Sequence, residues 1–441
     1  MFKRIFVAVG IAFFAVVLPV RQLQAGAEQE AAREKLSRVK VAVLYENITD
    51  GVGIGRSIED TVKLLKETQT DLIFRGFWKW EPIVESPDDI PEELFKLAEN
   101  KGLSHKQVGE KLRQTGRYYH ALEQWVSAIK QEIPGIIFCG AVPAQQLCRV
   151  ELNPITGKVY TGEETWEMAL DPQKWNIESS GKPITKEELQ ERFSGRQSGK
   201  AGNGYDRRKA TAYFPDITNP EFQQLLLSWA KKQIDCGADA IWIDMLYTQV
   251  KLFLQVTGNR LHPAIEESCA AITKIVDRIH EYGESKGKYI YVGTWGQSTS
   301  EFGIPYPSAN LDFVTFSPSK EEILNKALDN GRWEGKINSV RQIYNDIPIF
   351  AFIDWSNNES PTVTFSQKLS KKEQREVLRT FDQACSKIGA NFVYPLHGGY
   401  MGKASSKLSF GKKRVYDSLA PEFQTYETIK ELAQLKARSG L

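Results

Sequence analysis

Two aspartates, Asp244 and Asp354, each come directly after a short apolar run and stand close to aromatic residues. Hydrolysis of a glycosidic bond uses two carboxyl groups, one that protonates the leaving oxygen and one that attacks the sugar or activates water. An aromatic neighbour can raise the pKa of a carboxyl group by desolvating it, or it can stack on a sugar ring. The sequence therefore predicts Asp244 and Asp354 as a catalytic pair.

Three glutamates are alternatives for the second catalytic role. Glu46, Glu81 and Glu301 lie in predicted loops that leave the same face as the two aspartates, and Glu301 is retained as a catalytic candidate. A purely structural role is the competing interpretation, because carboxylates at strand ends commonly accept hydrogen bonds from backbone amides or pair with an arginine.

Further polar and aromatic residues follow the predicted strands and are candidates for substrate contacts. Arg75 could hold a carboxylate, either of the protein or of an acidic sugar. His397 could bond a substrate hydroxyl or belong to a structural turn, and each Trp could be a stacking platform or part of the core. The predicted substrate-binding residues are Glu46, Arg75, Trp78, Trp80, Glu81, Tyr247, Trp295, Trp355, His397 and Tyr400.

The elements that would position these residues alternate between short apolar strands and amphipathic helices. Such alternation is typical of parallel strands joined by crossover helices, and eight units predict a closed α/β barrel of the (β/α)8, or TIM, type. The active sites of such barrels lie at the carboxyl ends of the strands. The predicted strands are Val41–Tyr45, Leu72–Gly76, Ile136–Gly140, Ala240–Ile243, Tyr289–Gly293, Phe313–Phe316, Ile347–Ile353 and Phe392–Tyr394.

Two connections are much longer than ordinary barrel loops. The segments 77–134 and 141–214, after the second and third strands, are predicted to be insertions over the mouth of a barrel domain that spans 38–441. Helices are predicted in the first insertion at Glu92–Ala98 and His105–Gln131.

The amino terminus has a basic start, an apolar run and small residues near position 25. This pattern predicts a secretory signal peptide over residues 1–27, so the protein would be secreted or periplasmic. An uncleaved membrane anchor is the alternative, although the apolar run is short for a membrane span.

Charge and cysteine usage narrow the function classes. The formal net charge is +2, which gives no basic field for nucleic acid. The five cysteines form no metal-binding pattern, so we expect neither a metal nor another cofactor. Cys139 and Cys148 could form a disulfide or remain free buried thiols. A Ser or Cys nucleophile motif is not evident, which argues against ester or amide hydrolysis.

Two segments resemble a known family. Residues 213–221 read Tyr-Phe-Pro-Asp-Ile-Thr-Asn-Pro-Glu, and residues 237–245 read Gly-Ala-Asp-Ala-Ile-Trp-Ile-Asp-Met. They resemble the nucleophile region of the α-glycosidases of glycoside hydrolase family 31 and their retaining relatives, which are (β/α)8 barrels. The resemblance implies that Asp244 is the nucleophile.

The chain also departs from that family's pattern. Ala240 stands where the family has Gly, Leu246 and Tyr247 stand where it has Asn and Glu, and no carboxylate ends the sixth strand, where its acid lies. Asp354 and Glu301 therefore remain candidates for the acid. The leading hypothesis is an exported glycoside hydrolase that acts on an oligo- or polysaccharide. The alternative is a non-catalytic glycan-binding barrel.

Overall fold

The computed structural model describes residues 29–99, 102–179, 181–194, 206–208, 210–296, 302–354, 360–401 and 415–438. The predicted signal peptide and the candidate residues Glu301 and Trp355 lie outside these ranges.

Eight parallel strands pair in sequence order, and the first pairs with the eighth, so the sheet is a closed barrel. The predicted (β/α)8 fold is confirmed. The predicted strand positions were correct, and the boundaries moved by a few residues. The strands are β1 (Ala42–Tyr45), β2 (Leu72–Trp78), β3 (Ile137–Pro143), β4 (Ala240–Asp244), β5 (Tyr291–Trp295), β6 (Phe313–Phe316), β7 (Ile349–Ala351) and β8 (Asn391–Tyr400).

Alternation along each strand divides the core into two layers. In β4, Ala240 and Trp242 face the barrel interior, whereas Ile241 and Ile243 pack under the helices. Because side chains alternate between the faces of a strand, the next residue, Asp244, points into the barrel. The interior is strongly aromatic and includes Phe74, Trp78, Trp242, Phe313, Phe350 and Phe352.

Helices surround the barrel, and the two predicted in the first insertion begin at Glu92 and His105, as the sequence predicts. Asn219 accepts hydrogen bonds from the backbone N–H groups of Glu221 and Phe222 and so caps the helix before β4. The long helix predicted over His105–Gln131 was wrong: it is two helices that separate at Gly116, whose φ is +65°. The α-helices are Gly51–Ile54, Ile58–Glu67, Glu92–Glu99, His105–Thr115, Tyr119–Glu132, Gly162–Glu167, Lys186–Ser194, Pro220–Asp235, Thr248–Thr257, Pro263–Ser285, Lys320–Asn325, Asn330–Tyr344, Pro361–Lys368, Lys371–Lys387 and Tyr426–Arg438; Ile48–Asp50 and Pro172–Trp175 are 3-10 helices.

Short antiparallel strand pairs decorate the barrel. Three of them lie in the segment between β3 and β4: Leu147–Cys148 with Ala212–Tyr213, Glu151–Leu152 with Val159–Tyr160, and Glu178–Ser179 with Lys182–Pro183. A further strand, β9 (Val415–Asp417), pairs with the end of β8 and extends the sheet beyond the barrel.

A helical segment, residues 29–37, closes the floor of the barrel at the amino ends of the strands. Leu36 is fully buried in the interior layer, and the Tyr291 hydroxyl donates to the Ala32 carbonyl at 2.8 Å. The Arg33 guanidinium pairs with Asp312 at 3.2 Å. The packed structure therefore begins before residue 38, where the sequence placed the start of the domain.

Two further features concern the cysteines and the apolar character of the helices. All five cysteines are free, so Cys139 and Cys148 do not form a bridge. Within the described ranges, none of the helices combines the length and the apolar character that crossing a membrane requires.

Candidate functional site

Three carboxylates enter the barrel mouth from β1, β4 and β7. Leu44 and Phe352 face the barrel interior, so alternation also directs Glu46 and Asp354 inward, two residues later. Asp244 follows the same rule after Trp242. The sequence pattern alone therefore places Glu46, Asp244 and Asp354 on the interior side of the barrel wall.

Arg75 reaches the same region through an irregularity of β2. Ile73 pairs with Phe138 and Phe77 pairs with Gly140, so an advance of four residues along β2 corresponds to an advance of two residues along β3. Within this bulge, Arg75 has a left-handed backbone with a φ of +54°. A bulge re-aims side chains, and here it turns inward an arginine that regular alternation would have placed under the helices.

Neighbouring residues support the bulge. The Asn47 side chain accepts a hydrogen bond from the Trp78 N–H at 2.9 Å, and the Asn47 N–H donates to the Arg75 carbonyl at 3.3 Å. A Cβ on Gly76 would lie 2.5 Å from the ring of Phe138. The next position after Arg75 therefore requires glycine.

We call Glu46, Arg75, Asp244 and Asp354 the mouth cluster. Arg75 Nη1 donates to Asp354 Oδ1 at 2.7 Å, and Arg75 Nη2 lies 3.5 Å from Glu46 Oε1. Both oxygens of Asp244 have uncharged donors, since Trp295 Nε1 lies 2.7 Å from Oδ1 and Gln145 Nε2 lies 3.1 Å from Oδ2. The two aspartates are thus held by different kinds of partner, one ionic and one neutral.

The environment raises the pKa of both aspartates. For Asp354, burial is the main cause. The charge and hydrogen bond of Arg75 oppose the increase, the nearby negative charges of Asp244 and Glu46 add to it, and the resulting pKa is about 7. Burial also raises the pKa of Asp244, against the opposing effects of Arg75, Trp295 and Gln145. At neutral pH the cluster can therefore hold and release one proton at Asp354.

Aromatic rings form the walls around the mouth cluster. Trp78 and Trp80 are stacked with ring centroids 5.2 Å apart, and Trp295 is stacked on Phe352 at 5.1 Å. The Arg75 guanidinium lies 4.8 Å from the centre of the Trp78 ring. The rings shield the charges from water. Trp80 and Trp295 are partly exposed, so they also present an apolar surface at the mouth.

Glu46 is fixed by Gly398 and Gly399, which follow His397 near the end of β8. Gly399 N–H donates to Glu46 Oε2 at 2.9 Å. Gly398, with a φ of +125°, packs so closely that a Cβ there would lie 2.4 Å from the Cβ of Glu46. The two glycines therefore allow the backbone to approach the Glu46 carboxylate closely.

His397 belongs to a buried charge cluster behind Glu46. Its Nδ1 lies 2.6 Å from Asp417 Oδ2 and its Nε2 lies 3.7 Å from Asp50 Oδ2, while Arg56 Nη2 contacts both oxygens of Asp417. Burial alone would lower the pKa of His397, but the two carboxylates raise it above its ordinary value. The ring has no solvent exposure, so the expected hydrogen bond to a substrate hydroxyl does not fit its position.

Other candidates lie away from the cluster. Tyr247 is buried among the outer-layer residues, where its hydroxyl accepts from the Ala309 N–H at 3.1 Å, so it does not line the mouth. The reason is that β4 ends at Asp244 and the chain turns outward at Met245, whose φ is +57°. Glu81 is exposed beyond the end of β2, and Tyr400 is half-buried at the end of β8.

Across the parts of the chain that the structure describes, His, Cys, Asp and Glu side chains form no group of three or more suited to a metal ion. Arg75 is the cation that lies among the mouth carboxylates.

Comparison with known proteins yields structural likeness alone. No protein-family model matches the chain, and no curated protein matches it; the resemblance to glycoside hydrolase family 31 is therefore not confirmed. Among solved structures, alpha-amylase from H. orenii is 12% identical, with 91% of this chain and 82% of that chain covered and a TM-score of 0.47.

Two further structures show likeness of the same grade. The cyclic alpha-maltosyl-(1-->6)-maltose hydrolase from Arthrobacter globiformis is 12% identical over 90% of this chain and 83% of that chain, with a TM-score of 0.46. The glycoside hydrolase domain of PelA from Pseudomonas aeruginosa is 12% identical over 62% and 83%, with a TM-score of 0.33. Likeness this weak does not transfer an activity, so the chemistry must be argued from the site itself.

Sequence reasoning missed the charge cluster behind the site. Asp50 and Arg56 lie in the connection that follows β1, Asp417 lies in β9, and no spacing rule connects them to His397. Gln145 follows β3 by two residues, but its contact with Asp244 depends on the path of the loop after that strand.

Proposed function

We propose that this protein is an exported glycoside hydrolase that cleaves glycosidic bonds of an oligo- or polysaccharide with Asp354 as general acid and Asp244 as nucleophile or charge stabiliser. The main observation behind this proposal is that the two carboxyl groups at the barrel mouth have different surroundings. A pKa of about 7 lets Asp354 carry a proton at neutral pH, and two neutral donors hold Asp244. Export rests on the amino-terminal sequence pattern.

Asp354 suits the acid role because Arg75 engages one of its oxygens, Oδ1. In the proposed reaction, the proton on Oδ2 passes to the glycosidic oxygen as the bond from that oxygen to the anomeric carbon breaks. Arg75 fixes the orientation of the carboxyl group and stabilises the carboxylate that remains.

Asp244 suits the second role because one hydrogen bond reaches each of its oxygens without a neutralising ion pair. Its negative charge stabilises the positive charge that develops on the anomeric carbon. Asp244 either forms a bond to that carbon, which water later cleaves with Asp354 as base, or activates a water that attacks directly. The first route retains the anomeric configuration and the second inverts it.

Carbohydrate is the proposed partner, and the partly exposed Trp80, which stacks on the buried Trp78, is the proposed surface for a sugar ring near the mouth. No cofactor enters this mechanism.

Leaving-group dependence tests the assignment of roles. Natural glycans and aryl glycosides with an activated leaving group are assayed with the wild type, Asp354→Asn and Asp244→Asn. We expect Asp354→Asn to lose most activity on glycans but much less on the activated aryl glycosides, which do not need protonation. Asp244→Asn should lose at least a thousandfold on both.

Asp235→Asn is the matched control. Asp235 ends the helix Pro220–Asp235, where it pairs with Lys286 at the surface, and exposed ion pairs contribute little to stability. This variant should retain wild-type rates. Full activity of Asp244→Asn on a cognate glycan would refute the proposal. Glycan binding without turnover across a broad panel would instead support the non-catalytic binding barrel.

A further inference from the structure

The side chain of Trp295 makes its polar contact with a catalytic candidate. Its indole Nε1–H donates to Asp244 Oδ1 at 2.7 Å, which is a short hydrogen bond for an N–H donor. Trp295 is the last residue of β5, and the neighbouring strand β4 ends at Asp244. The contact therefore joins the carboxyl ends of two adjacent barrel strands.

The ring of Trp295 has protein partners as well. It stacks on Phe352 with centroids 5.1 Å apart and an interplanar angle of 29°, and it meets Trp242 edge-on at 5.5 Å. One ring face is therefore occupied by Phe352. Trp295 therefore differs from an aromatic ring whose faces are both free for stacking. Its packing fixes the direction in which the indole N–H points.

We propose that Trp295 is a positioning residue that fixes the ionised Asp244 carboxylate through its indole N–H, rather than a platform on which a sugar ring stacks. This inference rests on the proposed function for its catalytic meaning. A hydrogen bond to a carboxylate favours the charged form and restricts its rotation, and both effects serve a group that must be negative and correctly aimed.

Two substitutions separate the hydrogen bond from the ring. Trp295→Phe retains an aromatic side chain and removes the N–H, whereas Trp295→Leu removes both. For a positioning role we expect Trp295→Phe to lower kcat by about tenfold to a hundredfold, the range for a hydrogen bond to a charged group. KM should stay within twofold, and the acid limb of the pH profile of kcat/KM should move to higher pH.

A stacking platform would give the opposite pattern. Trp295→Phe would then resemble the wild type in kcat and pH profile, and Trp295→Leu would mainly raise KM. That result would overturn the proposal.

A second measurement does not depend on turnover. In protein labelled with ¹⁵N-tryptophan, Trp295→Phe identifies the indole N–H resonance of Trp295, which should shift with pH as Asp244 ionises. In Asp244→Asn that titration should vanish. Trp229 is the internal control, because its indole donates to the Leu152 carbonyl at 3.2 Å and should not follow the same titration.

The outcomes distinguish the two proposals. A titration that Asp244→Asn abolishes, in a protein that hydrolyses no glycan, would retain the positioning contact and refute the hydrolase. A Trp295 resonance with the same pH dependence in the wild type and Asp244→Asn would refute the positioning role even in an active enzyme.

Discussion

Replacing Asp354 with asparagine should make the protein more stable at alkaline pH while impairing its activity. The pKa of Asp354 rises from 3.8 to about 7 on folding. The difference is about three pH units, and each unit corresponds to about 1.4 kcal/mol, so ionised Asp354 should cost the folded state roughly 4 kcal/mol. Asparagine has nearly the same shape and no charge to desolvate.

The sign follows from proton binding. Between about pH 4 and pH 7, folded Asp354 keeps a proton that the unfolded chain has released, so the free energy of unfolding falls as pH rises. The loss is complete above the folded pKa. We therefore expect the stability gap between Asp354→Asn and the wild type to be about 1 kcal/mol or less near pH 4.5 and to approach roughly 4 kcal/mol at pH 8.

Urea denaturation at both pH values measures this gap. Asp417→Asn is a control of opposite sign: although burial alone would raise the pKa of Asp417, the hydrogen bond and charge of His397 and the charge of Arg56 lower it. Asp417→Asn should therefore destabilise the protein at both pH 4.5 and pH 8, because its stabilisation is lost only when the pH falls below the ordinary pKa of 3.8 toward the lower folded value. A gap for Asp354→Asn that is equal at pH 4.5 and pH 8 would refute the reasoning.

Two further substitutions probe the mouth cluster. Arg75→Met removes the cation that opposes the high pKa of Asp354, so the basic limb of the pH profile of kcat/KM should move upward by about one to three pH units. Arg75→Lys keeps the cation and should leave this limb nearly in place. An unchanged basic limb in Arg75→Met would contradict the assignment of Asp354 as the acid. Gly398→Ala places a Cβ against Glu46 at a φ of +125°, so it should destabilise by about 1–3 kcal/mol in thermal unfolding and lower kcat. The control is Gly181→Ala, where φ is +74° but no atom lies within 4 Å; an equal loss in both variants would show that steric contact with Glu46 is unimportant.

The barrel was predictable because its strands are covered on both faces. Covered strands read as continuous apolar runs, which mark their positions even when their ends are uncertain. The carboxyl end of β8 shows the limit: the predicted strand stops at Tyr394, but β8 continues to Tyr400 through an irregularity at Gly398 and Gly399, and β9 pairs with this continuation. The pattern of apolar residues does not reveal a pairing strand that lies outside the barrel.

The site was predictable where alternation is regular. Asp244 and Asp354 follow interior residues by two positions, so their direction follows from the strand pattern. Arg75 does not obey this rule, because a bulge and a left-handed backbone turn it inward. His397 and Tyr247 were expected at the mouth, but pairing with Asp417 and the turn at Met245 place them in buried surroundings.

The helical segment that closes the barrel floor has a consequence for how the chain reaches this structure. Arg33 pairs with Asp312, 279 residues later in the chain. The segment is synthesised long before β5 and β6, yet its docking surface exists only after these strands have been made, and contacts of such separation form slowly. The floor should therefore close late in folding, so that the aromatic interior stays accessible to water and to chaperones until the second half of the chain arrives.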